Sequence, residues 1–223
     1  MNRKPVIAID GYSSTGKSSI SKIIAERLGI VHMDTGALYR GITYFALQHC
    51  FSNDEIDTAL LFSSLKDVVL EFKDLDGQLV LFLNGKDISK EIRQPEVSEW
   101  VSFIAKQPEV RAFLLHTQRS IAENGGVIMD GRDIGTTVLP NADYKFFLTA
   151  SIEERTKRRY QELLSMGENT TETEVRDNLI KRDKIDSERE ISPLKQAEDA
   201  ILIDNSHINK EETIDLILSY IKK

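Results

Sequence analysis

Residues 6–9, Val-Ile-Ala-Ile, form a short unbroken apolar run rich in β-branched side chains, the pattern of a strand buried on both faces. From Ile20 the spacing changes: Ile20, Ile23, Ile24 and Leu28 mark one face of a helix, and Gly29 stands where a helix C-terminus calls for it. Strand then helix at the start predicts a parallel, doubly wound sheet. The alternation returns at Val127–Met129, Tyr144–Leu148 and Ala200–Ile203, each a short apolar run followed by polar or turn residues. Three intervening helices carry readable starts. Ser151 with Glu154, Thr171 with Glu174 and Asn209 with Glu212 each set a capping oxygen three residues before a carboxylate. Residues 66–93 break the rhythm. Val68–Lys73, Leu79–Leu83 and Lys86–Ile92 are separated by Asp76-Gly77 and Asn84-Gly85, which predicts a three-stranded antiparallel meander inserted in an α/β chain.

Gly11-Tyr12-Ser13-Ser14-Thr15-Gly16-Lys17-Ser18 lies between the first strand and the first helix and fits G-x-x-x-x-G-K-[ST]. The position matters physically, because loop N–H groups and the positive end of the helix dipole together receive a phosphate. Lys17 is placed to reach β- and γ-phosphate oxygens, and the Ser18 hydroxyl to ligate Mg²⁺. The pattern therefore predicts a nucleoside triphosphate site. No Asn-Lys-x-Asp guanine reader is present, since Asn84-Gly85-Lys86-Asp87 is a hairpin turn, and a motor or helicase would ordinarily be longer. A small-molecule kinase is the economical reading.

Composition narrows the partners. The 223 residues carry 29 Lys and Arg against 36 Asp and Glu, a net charge of −7, which disfavours nucleic acid and anionic membranes as ligands. The single cysteine, Cys50, rules out an intrachain disulfide framework and a cysteine-based zinc cluster. The first strand begins too early, and meets Asp10 too soon, to resemble a signal peptide, and no apolar run approaches a bilayer span. A cytoplasmic protein is expected. The four histidines (His32, His49, His116, His207) show no ligand spacing and read as structural or surface residues.

Four clusters suggest a second substrate. Asp34-Thr35-Gly36-Ala37-Leu38-Tyr39-Arg40 opens a helix, for which the plainer reading is an N-cap with a surface arginine. Asp130-Gly131-Arg132-Asp133-Ile134-Gly135 falls at the carboxyl end of a strand, the edge where ligands of open α/β sheets collect, and its acid suits the Mg²⁺ side of the loop. Six of the thirteen arginines lie between 155 and 189, with Arg155, Arg158 and Arg159 on one predicted helix. Arg182, Asp186 and Arg189 share a face if the next helix runs that far. Arginine's fork suits phosphate, although a solvated helix laced with salt bridges gives the same pattern. Ser102 and Arg111 stand nine apart on what reads as one helix.

Together these segments resemble the bacterial-type cytidylate kinase family. The likeness runs from Ile9-Asp10-Gly11 through Asp34–Arg40 and Asp130–Thr136 to Arg182-Asp183, Asp186, Arg189 and Ser192-Pro193-Leu194. It implies a P-loop kinase core, 1–40 with 120–223, that carries a helical lid at about 151–185. It also implies a monophosphate-binding domain, 41–119, containing the meander. The implied reaction is phosphorylation of CMP and dCMP by ATP with Mg²⁺, by a protein expected to be a monomer because a closing lid needs free surface. ATP would be held by Gly11–Ser19, and CMP by Thr35, Arg40, Ser102, Arg111, Arg132, Asp133, Asp186 and Arg189. Catalysis would rest on Lys17, Arg132, Arg158 and Arg182. Tyr12 and Ser14 replace a Pro and a Gly common in family loops, so altered loop rigidity or nucleotide affinity is expected. Other small-molecule P-loop kinases, acting on another monophosphate, shikimate or dephospho-coenzyme A, stay open at this point, as does a module that uses ATP only to change shape.

Overall fold

The structure is a computed structural model that describes residues 3–75 and 78–221. In chain order its elements begin with β1 (Val6–Gly11), α1 (Lys17–Leu28), β2 (Val31–Asp34), α2 (Thr35–His49), β3 (Phe51–Ser52), β4 (Glu55–Ile56) and α3 (Thr58–Ser64). They continue with β5 (Leu70–Leu75), β6 (Gln78–Leu83), β7 (Lys86–Asp87), α4 (Pro95–Ala105) and α5 (Pro108–Ala122). The last are β8 (Val127–Gly131), β9 (Tyr144–Thr149), α6 (Ile152–Ser165), α7 (Glu172–Glu188), β10 (Ile201–Asp204) and α8 (Lys210–Tyr220). Two compact units emerge, one of residues 1–33 with 121–223 and one of residues 34–120, so Asp34–Arg40 group with the second. Among the described residues no helix is long and apolar enough to cross a membrane.

The first unit is built on a five-stranded sheet of order β10-β9-β1-β8-β2. β1 pairs in parallel with β8 and β9, and β9 in parallel with β10. Every residue of β1 and β8 is buried, as their continuous apolar runs require of strands covered on both faces. Ile20, Ile24 and Ala25 of α1 and Ile214 and Ile217 of α8 cover Ile7, Ile9, Ile128, Phe146 and Leu148 of the sheet. α1 ends at Gly29, whose φ of 61° is reached without a Cβ clash. All three expected caps form: the side chains of Ser151, Thr171 and Asn209 accept from the N–H of Glu154, Glu174 and Glu212, the last two as complete capping boxes.

In the second unit, β5, β6 and β7 form the expected antiparallel meander. Asn84 and Gly85 make its second turn at positive φ, with the Asn84 side chain accepting from Val69 N–H. The first turn, Asp76-Gly77, lies outside the described residues. The third strand is much shorter than Lys86–Ile92. Asp87 accepts from both the N–H and the hydroxyl of Ser89, folding the chain away from the ladder after two residues. The sequence reading also placed Ser102 and Arg111 on one helix, and the structure corrects it. α4 ends at Ala105, and Pro108 begins α5, because proline lacks the N–H to continue a helix and disfavours α geometry at Gln107.

Candidate active site

The phosphate loop grows from the carboxyl end of β1, the middle strand of the sheet. Gly11 has φ 146°, and a Cβ there would sit 2.0 Å from the Leu148 carbonyl oxygen, so only glycine lets β1 and β9 run side by side into the loop. Ser14 takes φ 60°, the left-handed region usually left to glycine, at the position where family loops carry one. Gly16 caps α1, and Lys17 and Ser18 are its first residues. The hydroxyl of Ser19 turns back to the Gly16 carbonyl, 3.0 Å away.

Lys17 is buried and folds back onto the loop, donating to the Tyr12 carbonyl and to Thr15 Oγ1. Its pKa is lowered well below the ordinary lysine value, first by burial and then by the charge of Arg132, against the opposing pull of Asp130, Asp10 and Asp183. A buried cation held this way gains from any polyanion placed beside it.

Residues far away in sequence fix the loop. Arg155 donates to the Ser13 carbonyl and pairs with Asp183, while its guanidinium lies 5.2 Å from the centre of the Tyr12 ring. The other Asp183 oxygen accepts from Ser13 N–H at 3.4 Å. Asn205 donates to the Thr15 carbonyl at 2.9 Å. Arg158, expected to act on the transferring phosphate, instead donates to the Asn205 side chain and backbone at 3.0 and 2.7 Å.

A second group stands at the end of β8. Arg132 donates to Asp186 at 2.9 Å and to Ser13 Oγ at 2.7 Å, so a single guanidinium ties the phosphate loop to α7. Burial would lower its pKa, but Asp186, Asp183 and Asp130 outweigh that and raise it. Burial likewise opposes ionisation of Asp186, yet Arg132, Arg182 and Arg189 hold its carboxyl below the usual range. α7 stops at Glu188, so Arg189 is a cap rather than a member of the helical face. It donates to the Ser192 carbonyl and pairs with Asp133 at 3.1 Å. The buried Asp10 supports this region from β1, accepting from the N–H groups of Ile134 and Gly135, both at 2.7 Å.

Ser18 Oγ donates to Asp130 Oδ2 at 2.6 Å. One hydroxyl and one carboxylate oxygen, side by side, are hard donors of the kind Mg²⁺ takes when phosphates and water supply the remainder of its shell, so the donor set fits that ion. His32 completes the corner, its Nε2 2.6 Å from Asp130 Oδ1. The sequence reading took all four histidines as structural or surface residues, and the structure gives His32 a partner in the buried Asp130.

In the unit of residues 34–120, Thr35 is the buried first residue of α2, and Asp34 both caps that helix and pairs with Arg40. The plainer reading of the cluster, a cap, is thus present, but the arginine is not a free surface group. Ser102 is buried on α4. Arg111, buried on α5, donates to the Ala105 carbonyl at 3.2 Å and lies 5.6 Å from the Tyr39 ring centre.

A glycine-framed phosphate loop on the middle strand of a parallel sheet, with a buried lysine at its helix end, defines a P-loop nucleoside triphosphate-binding fold. The sequence model of the cytidylate kinase family matches residues 7–223. Relatives include the cytidylate kinases of Geobacillus sp. (strain WCH70), 48% identical over 97% of this chain and 96% of the relative, and of Flavobacterium johnsoniae, 47% identical over 98% and 96%. The chain belongs to the cytidylate kinase family of nucleoside monophosphate kinases. A solved structure of an uncharacterized protein from Eubacterium ventriosum ATCC 27560 shares the fold, with a TM-score of 0.51 at 15% identity over 99% of this chain and 98% of that one.

Proposed function

We propose that the protein transfers the γ-phosphoryl group of ATP to CMP and dCMP, giving ADP with CDP or dCDP, by direct in-line displacement. The observation that carries this reading is the double engagement of Arg132, which bonds the phosphate loop at Ser13 and also Asp186, a carboxylate that the family resemblance gives to the acceptor. A loop that served ATP alone would need no second set of arginines beside it.

The nucleophile is an anionic phosphate oxygen of the monophosphate, so no proton has to be removed by a strong base. A P–O bond to that oxygen forms as the bond to the ADP oxygen breaks. The protein's task is to align two polyanions and offset the charge of a loose transition state. Backbone N–H groups along Gly11–Ser19 receive the ATP phosphates, and Lys17 leaves the Tyr12 carbonyl to meet the β- and γ-oxygens. Ser18, with Asp130 beside it, would hold Mg²⁺, which would offset the charge of the phosphates. Arg132, Arg158 and Arg182 serve the transferring group, and Arg158 must first release Asn205. Ser102 and Asp186 address the base and ribose, Thr35, Asp133 and Arg189 complete the CMP contacts, and Arg40, Arg111 and Arg132 hold the α-phosphate. Closure of α6 and α7 as a lid excludes water and suppresses hydrolysis. The protein acts as a cytoplasmic monomer on free nucleotides, with no nucleic acid or membrane partner.

ADP formation from ATP and Mg²⁺, measured with CMP, dCMP, UMP, AMP, GMP or no acceptor, tests the reading. CMP and dCMP should stimulate turnover most. Equal rates with and without acceptors would end the kinase reading, and preference for another monophosphate would end the cytidine assignment.

A further inference from the structure

The Asp130 carboxylate has one oxygen on Ser18 Oγ and the other on His32 Nε2, both at 2.6 Å. Its side chain is almost fully buried, at 3% exposure. His32 comes from β2, the strand next to β8 in the sheet, so both backbones that meet at this carboxylate are set by strand pairing. An aspartate attached to a fixed Cα still rotates freely about its last torsion, whose wells are broad and two-fold. Two hydrogen bonds on opposite oxygens remove that freedom. The imidazole N–H donates to Oδ1, which leaves Oδ2 as the oxygen that accepts the Ser18 hydroxyl hydrogen. With its hydrogen drawn towards Asp130, Ser18 Oγ presents its lone pairs away from the carboxylate, as a metal ligand must.

We propose that His32 is a positioning residue for the metal side of this site. By holding the Asp130 carboxylate plane, it orients Ser18 towards a nucleotide-bound divalent cation. The inference rests on the reading of Ser18 and Asp130 as the Mg²⁺ side. Groups that stand behind a metal ligand and fix its orientation commonly change metal affinity by about 10- to 100-fold when removed. A pair that only pins the edge strand β2 would change stability and leave metal dependence alone.

The test is calorimetric binding of a non-hydrolysable ATP analogue to the full chain, with Mg²⁺ and then with chelator, for wild type, His32→Leu, His32→Gln and Ser18→Ala. His32→Leu should cut the Mg²⁺-dependent gain in affinity by about 10-fold or more. Its metal-free affinity and its affinity for CMP should match wild type. His32→Gln, whose amide can donate to the same oxygen, should recover much of the gain. An undiminished gain in His32→Leu, alongside a lost gain in Ser18→Ala, overturns the role of His32 alone. A wild type whose binding ignores Mg²⁺ overturns the metal reading together with this proposal. Equal loss with and without Mg²⁺ in His32→Leu marks general damage and also overturns it.

Discussion

In the unit of residues 34–120, the pairs Glu71–Lys73 and Lys86–Glu91 are partly solvent-exposed, and each joins residues near in sequence. In the other unit, around the phosphate loop, the pairs Arg132–Asp186, Arg155–Asp183 and Arg189–Asp133 are largely withdrawn from water. Exposed pairs are screened and hold two long side chains at an entropic cost, so they contribute little. Buried pairs cost desolvation, and truncating one partner of such a pair typically costs about 3–5 kcal/mol because the other charge is stranded. A net charge of −7 describes the first kind of surface well and says nothing of the second. Charge that a protein keeps buried without gaining much stability is charge kept ready for a ligand.

The sharpest way to break this contrast is Lys17→Ala. Turnover should fall by about 10³-fold or more, because the proposed role of the lysine is to act on the phosphoryl group in flight. The melting temperature should hold or rise, since a buried cation with a lowered pKa is a burden on the empty fold. A coupled ADP assay and a thermal melt check both. A large loss of stability would mean that Lys17 is a structural cation.

A smaller effect is expected at Asp10. Burial, aided by the charge of Asp133 and opposed by the two backbone N–H groups, pushes its carboxyl up to about 7 from an ordinary 3.8. A raised carboxyl pKa means the folded state prefers the proton. Its contribution is therefore full below pH 3.8 and is lost as pH rises to about 7. Asp10→Asn offers one acceptor where two N–H groups need one each, and should cost about 1–3 kcal/mol. The gap in melting temperature between the two proteins should be widest near about pH 4 and narrow towards neutrality. A gap that ignores pH would show that Asp10 does not titrate in this range.

The smallest effect belongs to the solvated unit. Glu91→Gln removes the Lys86–Glu91 pair and should leave the melting temperature within about a degree and the rate with CMP unchanged. A loss comparable to that of Asp10→Asn would erase the distinction between the two kinds of charge.

Most of the fold was legible because its signals are local. The unbroken run at 6–9, the helical spacing from Ile20, Gly29 and the three capping pairs each act within a turn or two of the chain, and each appears where its spacing indicated. The errors share a physical cause. Lys86–Ile92 follows the strong Asn84-Gly85 turn and so reads as a third strand, but the Asp87 side chain captures Ser89 and wins over the ladder. Ser102 and Arg111 have helical spacing, but Pro108 interrupts it. The phosphate loop itself could be read because eight consecutive residues define it. Its supports could not be assigned to it: Arg155 stood out only within a group of arginines, Asp183 only beside Arg182 and Asn205 not at all, and nothing local says that they reach the loop. His32 went unnoticed for the same reason. Its partner lies on a strand that becomes its neighbour only once the sheet has formed.

The place of β1 in the sheet also has a bearing on how the chain acquires its shape. Ile7 lies beside Ile128 on one edge and Tyr144 on the other. A ribosome makes this strand before either partner, and both emerge only after the whole of residues 34–120. That intervening stretch is continuous and can close on its own contacts while synthesis proceeds. The run Val6–Ile9, flat and apolar, has to wait for distant pairings whose loop-closure entropy slows them. During that interval its apolar surface and unpaired edges stay open to association. The phosphate loop that follows β1 is thus made before the strands that flank it and settles only after them.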